Sequence, residues 1–346
     1  MPDGIPESPR VIAYMRFGGI GEILAITPAL VAIRRHWPTA RMVAMVPSHA
    51  REILDRLGVA DAYISGDRAY AARWSRYGLG LSALRELIRV CAELRWHAPD
   101  LFLVFNHLYF RRSVIKPAIF SWASGSPVRV GFDSYGRGWF LTHRVPDDFF
   151  EPRHLVERNR DFLNLLGIED AQVSKPLLGV REQDRRTAES LLAEVGLCDR
   201  SFVACTPGSS KPTTRWMPER FAEVLRILRV RYGLTPLLLG AGHERDLCAT
   251  VAALAGGAPV LAGRTDVHVL GAILERAALL LSNVTGSVWV AAAMGTPTVA
   301  VFGSGEFAIW GTYPDPSFRA VRHPVPCAPC LRRTCGHHSC MRLIDV

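Results

Sequence analysis

The sequence predicts an α/β protein of two Rossmann-like, doubly wound domains facing a cleft, and three observations carry that expectation. Short apolar runs alternate with helix-period stretches along the chain, the pattern of parallel strands covered on both faces. Around residues 168–178 the text turns polar and non-periodic, and the alternation restarts at 202. This divides the 346 residues into 1–172 and 173–346, each of ordinary domain size. Glycine- or hydroxyl-rich loops follow strands at 18–22, 207–216 and 283–286, at the strand ends where doubly wound sheets hold ligands.

In the first half, RVIAYM (10–15) reads as a strand, followed by the loop Gly18-Gly19-Ile20-Gly21-Glu22 and a helix. Thr27 and Pro28 resemble an internal N-cap and first-turn pair, so a kink or restart is expected there. ARMVAMV (40–46) is the second strand, SHAREILDRLG a helix and AYI a short strand. Leu81, Leu84, Leu87, Ile88, Cys91 and Leu94 recur at helical spacing, which predicts an amphipathic helix. DLFLVF (100–105) is a strand ending at Asn106-His107, then come the strand-like VRVGF and a helical run near 154–167.

The second half opens with a helix at 182–196 and the strand FVACT (202–206). A loop starting Pro207-Gly208-Ser209-Ser210 leads into a helix carrying Phe221, Val224, Leu225 and Leu228. TPLLLG ends at Gly240-Ala241-Gly242-His243-Glu244, then follow a helix, a strand PVLAG and a helix over 268–278. The stretch 279–303 is a strand (279–282), a polar loop, a helix from Ser287 and a strand (298–302).

Composition narrows the class. With 49% apolar and 21% charged residues the chain reads as folded and soluble. MPDGIPESPR lacks a basic-then-apolar signal pattern, and no uninterrupted apolar run reaches spanning length, so a cytosolic protein is expected. Net charge is +9 and unevenly spread: residues 68–144 hold twelve basic and four acidic residues. Trp74, Tyr77, Trp96, Tyr109, Phe110, Trp122 and Trp139 lie in the same segment. A basic surface with interfacial aromatics suits an anionic glycolipid or the cytoplasmic face of the inner membrane; scattered solvated arginines are the ordinary alternative. No nucleic-acid-binding signature accompanies it, so no nucleic-acid partner is expected.

The loops carry the chemistry. Gly19-Ile20-Gly21 resembles a dinucleotide fingerprint, but Leu24 occupies the third glycine position and no acidic residue ends the second strand, so NAD is not expected. Glu22 is a carboxylate in a glycine loop at a strand end, suited to general-base work or, more plainly, to a helix's first turn. In 207–216, Ser209, Ser210, Lys211, Thr214 and Arg215 gather hydroxyls and cations for a diphosphate. Thr285, Gly286 and Ser287 open a helix whose free N–H groups favour an anion. Glu244 suits ribose hydroxyls. Three such loops in one half point to a nucleotide.

Cysteines form two populations. Cys91, Cys198, Cys205 and Cys248 sit in apolar segments as expected core residues. Cys327, Cys330, Cys335 and Cys340, spaced C-x2-C-x4-C-x4-C, fit one structural metal, with His337 or His338 as substitutes for a thiolate. A disulfide pair and uncoordinated thiols are the alternatives.

RFGGIGEILAITPALVAIRR (16–35), PGSSKPTTRWMPERFAEVL (207–225), LLLGAGHE (237–244), LAGRTDVHVLGAILERAALLLSN (261–283) and TGSVWVAAAMGTPTVAVFG (285–303), in this order, resemble the ADP-heptose:lipopolysaccharide heptosyltransferases, glycosyltransferase family 9. The resemblance implies a GT-B fold, with acceptor in the N-terminal domain (1–172, loop Gly18, Gly19 and Gly21) and nucleotide sugar in the C-terminal domain (173–346) with its Cys-rich tail (327–340). It also implies inversion with Glu22 as base, no cofactor or metal for catalysis, and an anionic glycolipid or glycan acceptor. Some relatives hold a metal, reported as iron, on C-terminal cysteines, which makes structural zinc or iron an expectation here. The chain departs from the family at four positions: Glu22 replaces Asp, Thr214 replaces the Lys before the Arg-Trp pair, Val284 replaces the Asp of the D-[ST]-G loop, and Trp289 replaces a His. A nucleotide-sugar epimerase of the same fold and a non-catalytic binding relative are the alternatives.

Overall fold

The computed structural model describes residues 4–71, 80–149, 151, 153–169, 175–197, 199, 201–305, 307–311, 315–330 and 332–346. It comprises two compact units: Met1–Glu151 with Leu155–Leu177, and Pro152–His154 with Leu178–Val346. The sequence-expected join at 172/173 lies outside the described residues.

The first unit holds a six-stranded sheet in the order β3-β2-β1-β4-β5-β6, every pairing parallel. Its strands are β1 (Val11–Met15), β2 (Arg41–Met45), β3 (Ala62–Tyr63), β4 (Leu101–Val104), β5 (Val128–Asp133) and β6 (His143–Pro146). The second unit holds β7 (Phe202–Thr206), β8 (Thr235–Leu238), β9 (Leu279–Asn283), β10 (Thr298–Phe302) and β11 (Phe318–Arg322) in the parallel order β11-β10-β9-β7-β8. The central strands are buried along their length, β4 and β7 at every residue, because helices cover both faces and leave no polar positions. Met15, Val43, Phe102, Val104 and Phe120 meet in the first core; Val203, Phe221, Leu238, Leu281 and Met341 meet in the second. Burying each such large side chain contributes about 1.5–3 kcal/mol.

Four details depart from the sequence reading. The helix Ile20–His36 runs unbroken through Pro28. Pro28 has no N–H for the Leu24 carbonyl, and the Thr27 hydroxyl donates to that carbonyl instead, at 2.7 Å. The run PVLAG is not a strand; it supplies one isolated parallel bridge, Leu238 to Val260. β6 and β11 have no apolar run that predicts them: both are edge strands in which arginines interrupt the apolar residues and only one residue is buried. In the helix Leu81–His97 the core side is Val90 and Leu94, while Leu81 and Ile88 are 75% and 62% exposed, so part of the apolar spacing faces solvent. Cys205 and Cys248 are buried as expected, Cys91 is half-buried, and Cys198 lies outside the described residues.

Candidate active site

Strand order determines where ligands bind. In the first sheet β1 has β2 on one side and β4 on the other; in the second, β7 lies between β8 and β9. Chain direction reverses across the sheet at these pairs, and the loops leaving the carboxyl ends of β1 and β4, or of β7 and β9, splay apart into a crevice. The sequence-predicted loops lie there: Gly18–Glu22 after β1, 207–216 after β7 and 284–287 after β9.

After β1, Gly18 has φ +155°, and a Cβ there would lie 2.8 Å from the Glu22 Cβ. The lack of a side chain lets the loop fold over Glu22, whose Oε2 accepts the Gly19 N–H at 3.0 Å. Glu22 thus caps the helix it belongs to. Asn106, just past β4, clasps the loop: its Oδ1 accepts the Phe17 N–H at 3.2 Å and its Nδ2 donates to the Phe17 carbonyl at 3.3 Å. Buried Arg16 donates to the Phe105 carbonyl at 2.6 Å.

Beneath this loop pair lies a charged network that sequence reasoning missed. Asp147 accepts bonds from His107 Nδ1 (2.9 Å), Ser134 Oγ (2.8 Å), Tyr109 (3.2 Å) and Arg158. The side chains of His107, Asp147 and Arg158 are 7%, 1% and 3% exposed. Burial alone would raise the Asp147 pKa, but the His107 and Ser134 bonds and the Arg158 charge outweigh it and hold it at about 2. Burial lowers the His107 pKa against the pull of Asp147, so its imidazole is neutral with the proton on Nδ1. The one sequence signal was His107 itself, directly after a strand end; its partners come from β5, β6 and a later helix.

In the second unit, the 207–216 loop is closed on itself. Thr214 Oγ1 donates to the Lys211 carbonyl (2.9 Å), so the 2.6 Å bond between Ser209 and Thr214 has Ser209 as donor. Arg215 Nε donates to the Ser209 carbonyl at 2.9 Å. Ser209 and Thr214 therefore spend their hydroxyl protons within the loop and Arg215 its Nε–H, while Ser210 is exposed and Lys211 half-buried. Asn283 pins both ends of the loop, donating to the Pro207 carbonyl (2.7 Å) and accepting the Trp216 N–H (2.9 Å).

The same reasoning orients the hydroxyls beside it. Ser282 donates to the Asn283 carbonyl, Thr206 to Ser282, Ser287 to Thr206 (2.8 Å) and Thr285 to Ser287 (2.6 Å). These hydroxyl protons are thus spent within the network. Thr285 provides no side-chain cap for the helix Gly286–Met294, so its first amides keep their donors. Glu244 lies against the β7 loop: a Cβ on Gly208 would be 1.8 Å from Glu244 Oε1, while Glu244 Oε2 accepts the Ala241 N–H at 2.9 Å. Loops 207–216, 242–244 and 284–287 thus meet at one corner of this unit.

Of the departures, Val284 is half-buried in the loop and Trp289 is buried, stacked on His154 at 4.9 Å and close to Trp310 at 5.0 Å. The C-terminal cysteines do not form the expected tetrahedral set. Cys327 is exposed, Cys330 and Cys335 half-buried and Cys340 buried, and Cys335 Sγ accepts the His338 N–H at 3.3 Å. Burial, followed by the nearby Cys330, Cys327 and Cys335, pushes the Cys340 thiol up. Among the described residues no group of three or more His, Cys, Asp or Glu side chains is arranged to hold a metal ion, so the residues do not fit one. The tail is tied to the β7 loop by hydrogen bonds to Thr213 and Trp216.

On the surface of the first unit Trp96, Phe110, Trp122 and Trp139 are at least half exposed, the last two with ring centroids 5.0 Å apart. Trp74 and Tyr77 lie outside the described residues. Among the described residues no helix is long and apolar enough to cross a membrane.

Known proteins share this plan. Lipopolysaccharide heptosyltransferase 3 of Escherichia coli K12 is 28% identical over 302 residues, covering 84% of this chain and 81% of that protein. The crystal structure of a family 9 glycosyltransferase from Veillonella parvula superposes with a TM-score of 0.73 at 20% identity, over 91% of this chain and 86% of that one. E. coli heptosyltransferase WaaC, solved with ADP, gives 0.67 at 18% identity, over 91% and 93%. Residues 105–340 match the family model of glycosyltransferase family 9 (heptosyltransferase), and the chain belongs to that family of glycosyltransferases.

Proposed function

We propose that the protein transfers a heptose or similar sugar from an ADP-heptose-like donor to a lipopolysaccharide-core or other glycolipid acceptor, inverting the anomeric carbon. The domain 173–346 takes the donor and the domain 1–172 the acceptor. Family membership favours transfer over epimerisation, and the relatives' printed names, a lipopolysaccharide heptosyltransferase and an enzyme solved with ADP, support the substrate classes. The observation that carries the reading is the corner formed by 207–216, 242–244 and 284–287, where the helix start at Gly286, uncapped by any side chain, and Lys211 suit a diphosphate while Glu244 suits a ribose.

The donor diphosphate lies against Ser210, Lys211 and the amides of Gly286 and Ser287. Ser209, Thr214, Arg215 and Thr285 hold that surface in shape. Glu22 Oε1 takes the proton of an acceptor hydroxyl as its oxygen bonds to the anomeric carbon. The bond from that carbon to the phosphate oxygen breaks on the opposite face, and the diphosphate leaves with the electron pair. Lys211 and the helix amides stabilise the charge growing on it, an effect worth a few kcal/mol per group. Gly18, Gly19 and Gly21 shape the acceptor side of this loop. No step uses a metal. The basic, aromatic surface of the first unit receives the glycolipid and contacts an anionic leaflet, which places the enzyme at the cytoplasmic face of the inner membrane.

Glu22→Gln tests the reaction. Gln retains an oxygen for the Gly19 N–H, so the loop and the donor affinity persist, while turnover falls roughly 10²-fold or more. Release of ADP from ADP-heptose, with and without a lipopolysaccharide-core acceptor, is the measurement; near-normal turnover removes Glu22 from the mechanism.

A further inference from the structure

We propose that the C-terminal tail is a strap that sets the shape of the β7 loop, and that His338 is its positioning residue for a nucleoside diphosphate. The inference rests on the reading that 207–216 takes the donor.

The tail is anchored beneath the loop. Cys340, Met341 and Ile344 are buried in the second core, and a Cβ on Gly303, just past β10, would lie 2.8 Å from the Met341 sulfur. From that anchor the tail reaches the loop at two points. The buried Trp216 indole donates to the Ile344 carbonyl at 3.1 Å. Thr213, 3% exposed, is held on two sides: its hydroxyl donates to the Arg332 carbonyl, and its carbonyl receives His338 Nε2 at 3.0 Å and Ser304 Oγ at 3.4 Å. A carbonyl only accepts, so His338 carries a proton on Nε2.

His338 is built for this position. It is one of three non-glycine residues with positive φ among those described, at +50°, a conformation side chains rarely adopt without support. Its own N–H is taken by Cys335 Sγ at 3.3 Å. The strain turns the imidazole onto Thr213 while the chain descends to Met341.

The consequence is local. Thr213 is the centre of the 3-10 turn Pro212–Thr214. Its neighbour Thr214 bonds to the Lys211 carbonyl and to Ser209, and Arg215 bonds to the Ser209 carbonyl. Releasing the Thr213 carbonyl therefore releases the turn that fixes Lys211 and the loop amides. The strap acts on binding of the diphosphate and leaves proton transfer at Glu22 alone.

Calorimetric titration of the full chain with ADP tests this, alongside donor KM, turnover and melting temperature. His338→Ala should weaken ADP about 10-fold and raise donor KM by a similar factor, with turnover within about twofold. His338→Gln, whose amide N–H reaches the same carbonyl, should recover ADP binding to within about threefold. Lys211→Ala reports on the loop reading by itself. If Lys211→Ala weakens ADP and His338→Ala does not, the strap is overturned and the donor loop stands. Unchanged binding in Lys211→Ala overturns both. Equal loss in the Ala and Gln variants overturns the hydrogen-bond role of His338. Should His338→Ala fail to fold, Thr213→Val, which removes the hydroxyl bond to the tail and keeps the side-chain shape, is expected to weaken ADP about threefold; unchanged binding there overturns the strap.

Discussion

The loops after β1 and β7 occupy equivalent places, each leaving the strand where its sheet reverses direction, yet they are held differently. The β1 loop is held by one bond of its own, Glu22 capping Gly19 three residues away, and by a single neighbouring strand end, where Asn106 clasps Phe17. The β7 loop adds to its own bonds among Ser209, Lys211, Thr214 and Arg215 a set of supports from far along the chain, Asn283, Ser304, Arg332, His338 and Ile344. A loop with few supports depends on a few backbone-permissive positions such as Gly18. One held by remote segments depends on packing that must form first.

The largest expected effect concerns what lies under the β1 loop. Asp147→Asn leaves Arg158 facing a neutral amide and should destabilise the protein by about 3–5 kcal/mol at pH 7, read by denaturant unfolding. Acid should erode the same contribution in the wild type. Asp147 has a depressed folded pKa, so its stabilisation is complete above its ordinary value of 3.8 and is lost as pH falls through about 2. His107, also depressed but a base, adds its own loss as pH falls below its ordinary 6.5, because the unfolded chain then binds the proton that the buried ring refuses. The gap between Asp147→Asn and wild type should therefore narrow toward pH 2. A gap that stays constant across that range means Asp147 is not the acid-sensitive group.

A paired substitution sharpens the contrast between local and remote support. Gly18→Ala places a Cβ 2.8 Å from the Cβ of Glu22, on a backbone conformation that alanine resists. Turnover should fall about 30-fold with ADP affinity unchanged. Gly208→Ala meets only the far end of the Glu244 side chain, which can swing away, so ADP affinity should fall about threefold with turnover retained. If both variants lose turnover equally, the two loops do not divide catalysis and donor binding as proposed.

The smallest effect lies on the surfaces. The exposed tryptophans and the exposed phenylalanine among the described residues all belong to the first unit; the exposed large apolar residues of the second are Ile227, Val230, Tyr232, Leu254, Val321, Leu343 and Val346. Trp122→Ala combined with Trp139→Ala should weaken binding to vesicles containing anionic lipid about threefold, and added salt should weaken it further. Equal binding to neutral and anionic vesicles would end the membrane assignment. Arg73 and Arg76, in the same basic segment, lie outside the described residues.

The sequence by itself determined the α/β class, most central strands and the loops that follow them at 18–22, 207–216 and 283–286, because these depend on local periodicity and on which residues permit a turn. FVACT and TVAVF had to be buried strands, and Gly18-Gly19 before Glu22 had to be a tight loop opening a helix. Tertiary structure decided the remainder. It ran a helix through Pro28 by lending the Thr27 hydroxyl to Leu24, gathered Asp147, His107, Ser134 and Arg158 from separate elements, and bonded Ser209, Thr214 and Arg215 within their own loop. It also tied the cysteine-rich tail to Thr213. Spacing along the chain fixes how near two residues can come, but hydrogen-bond partners at separations of ten to more than a hundred residues are chosen only when the cores close.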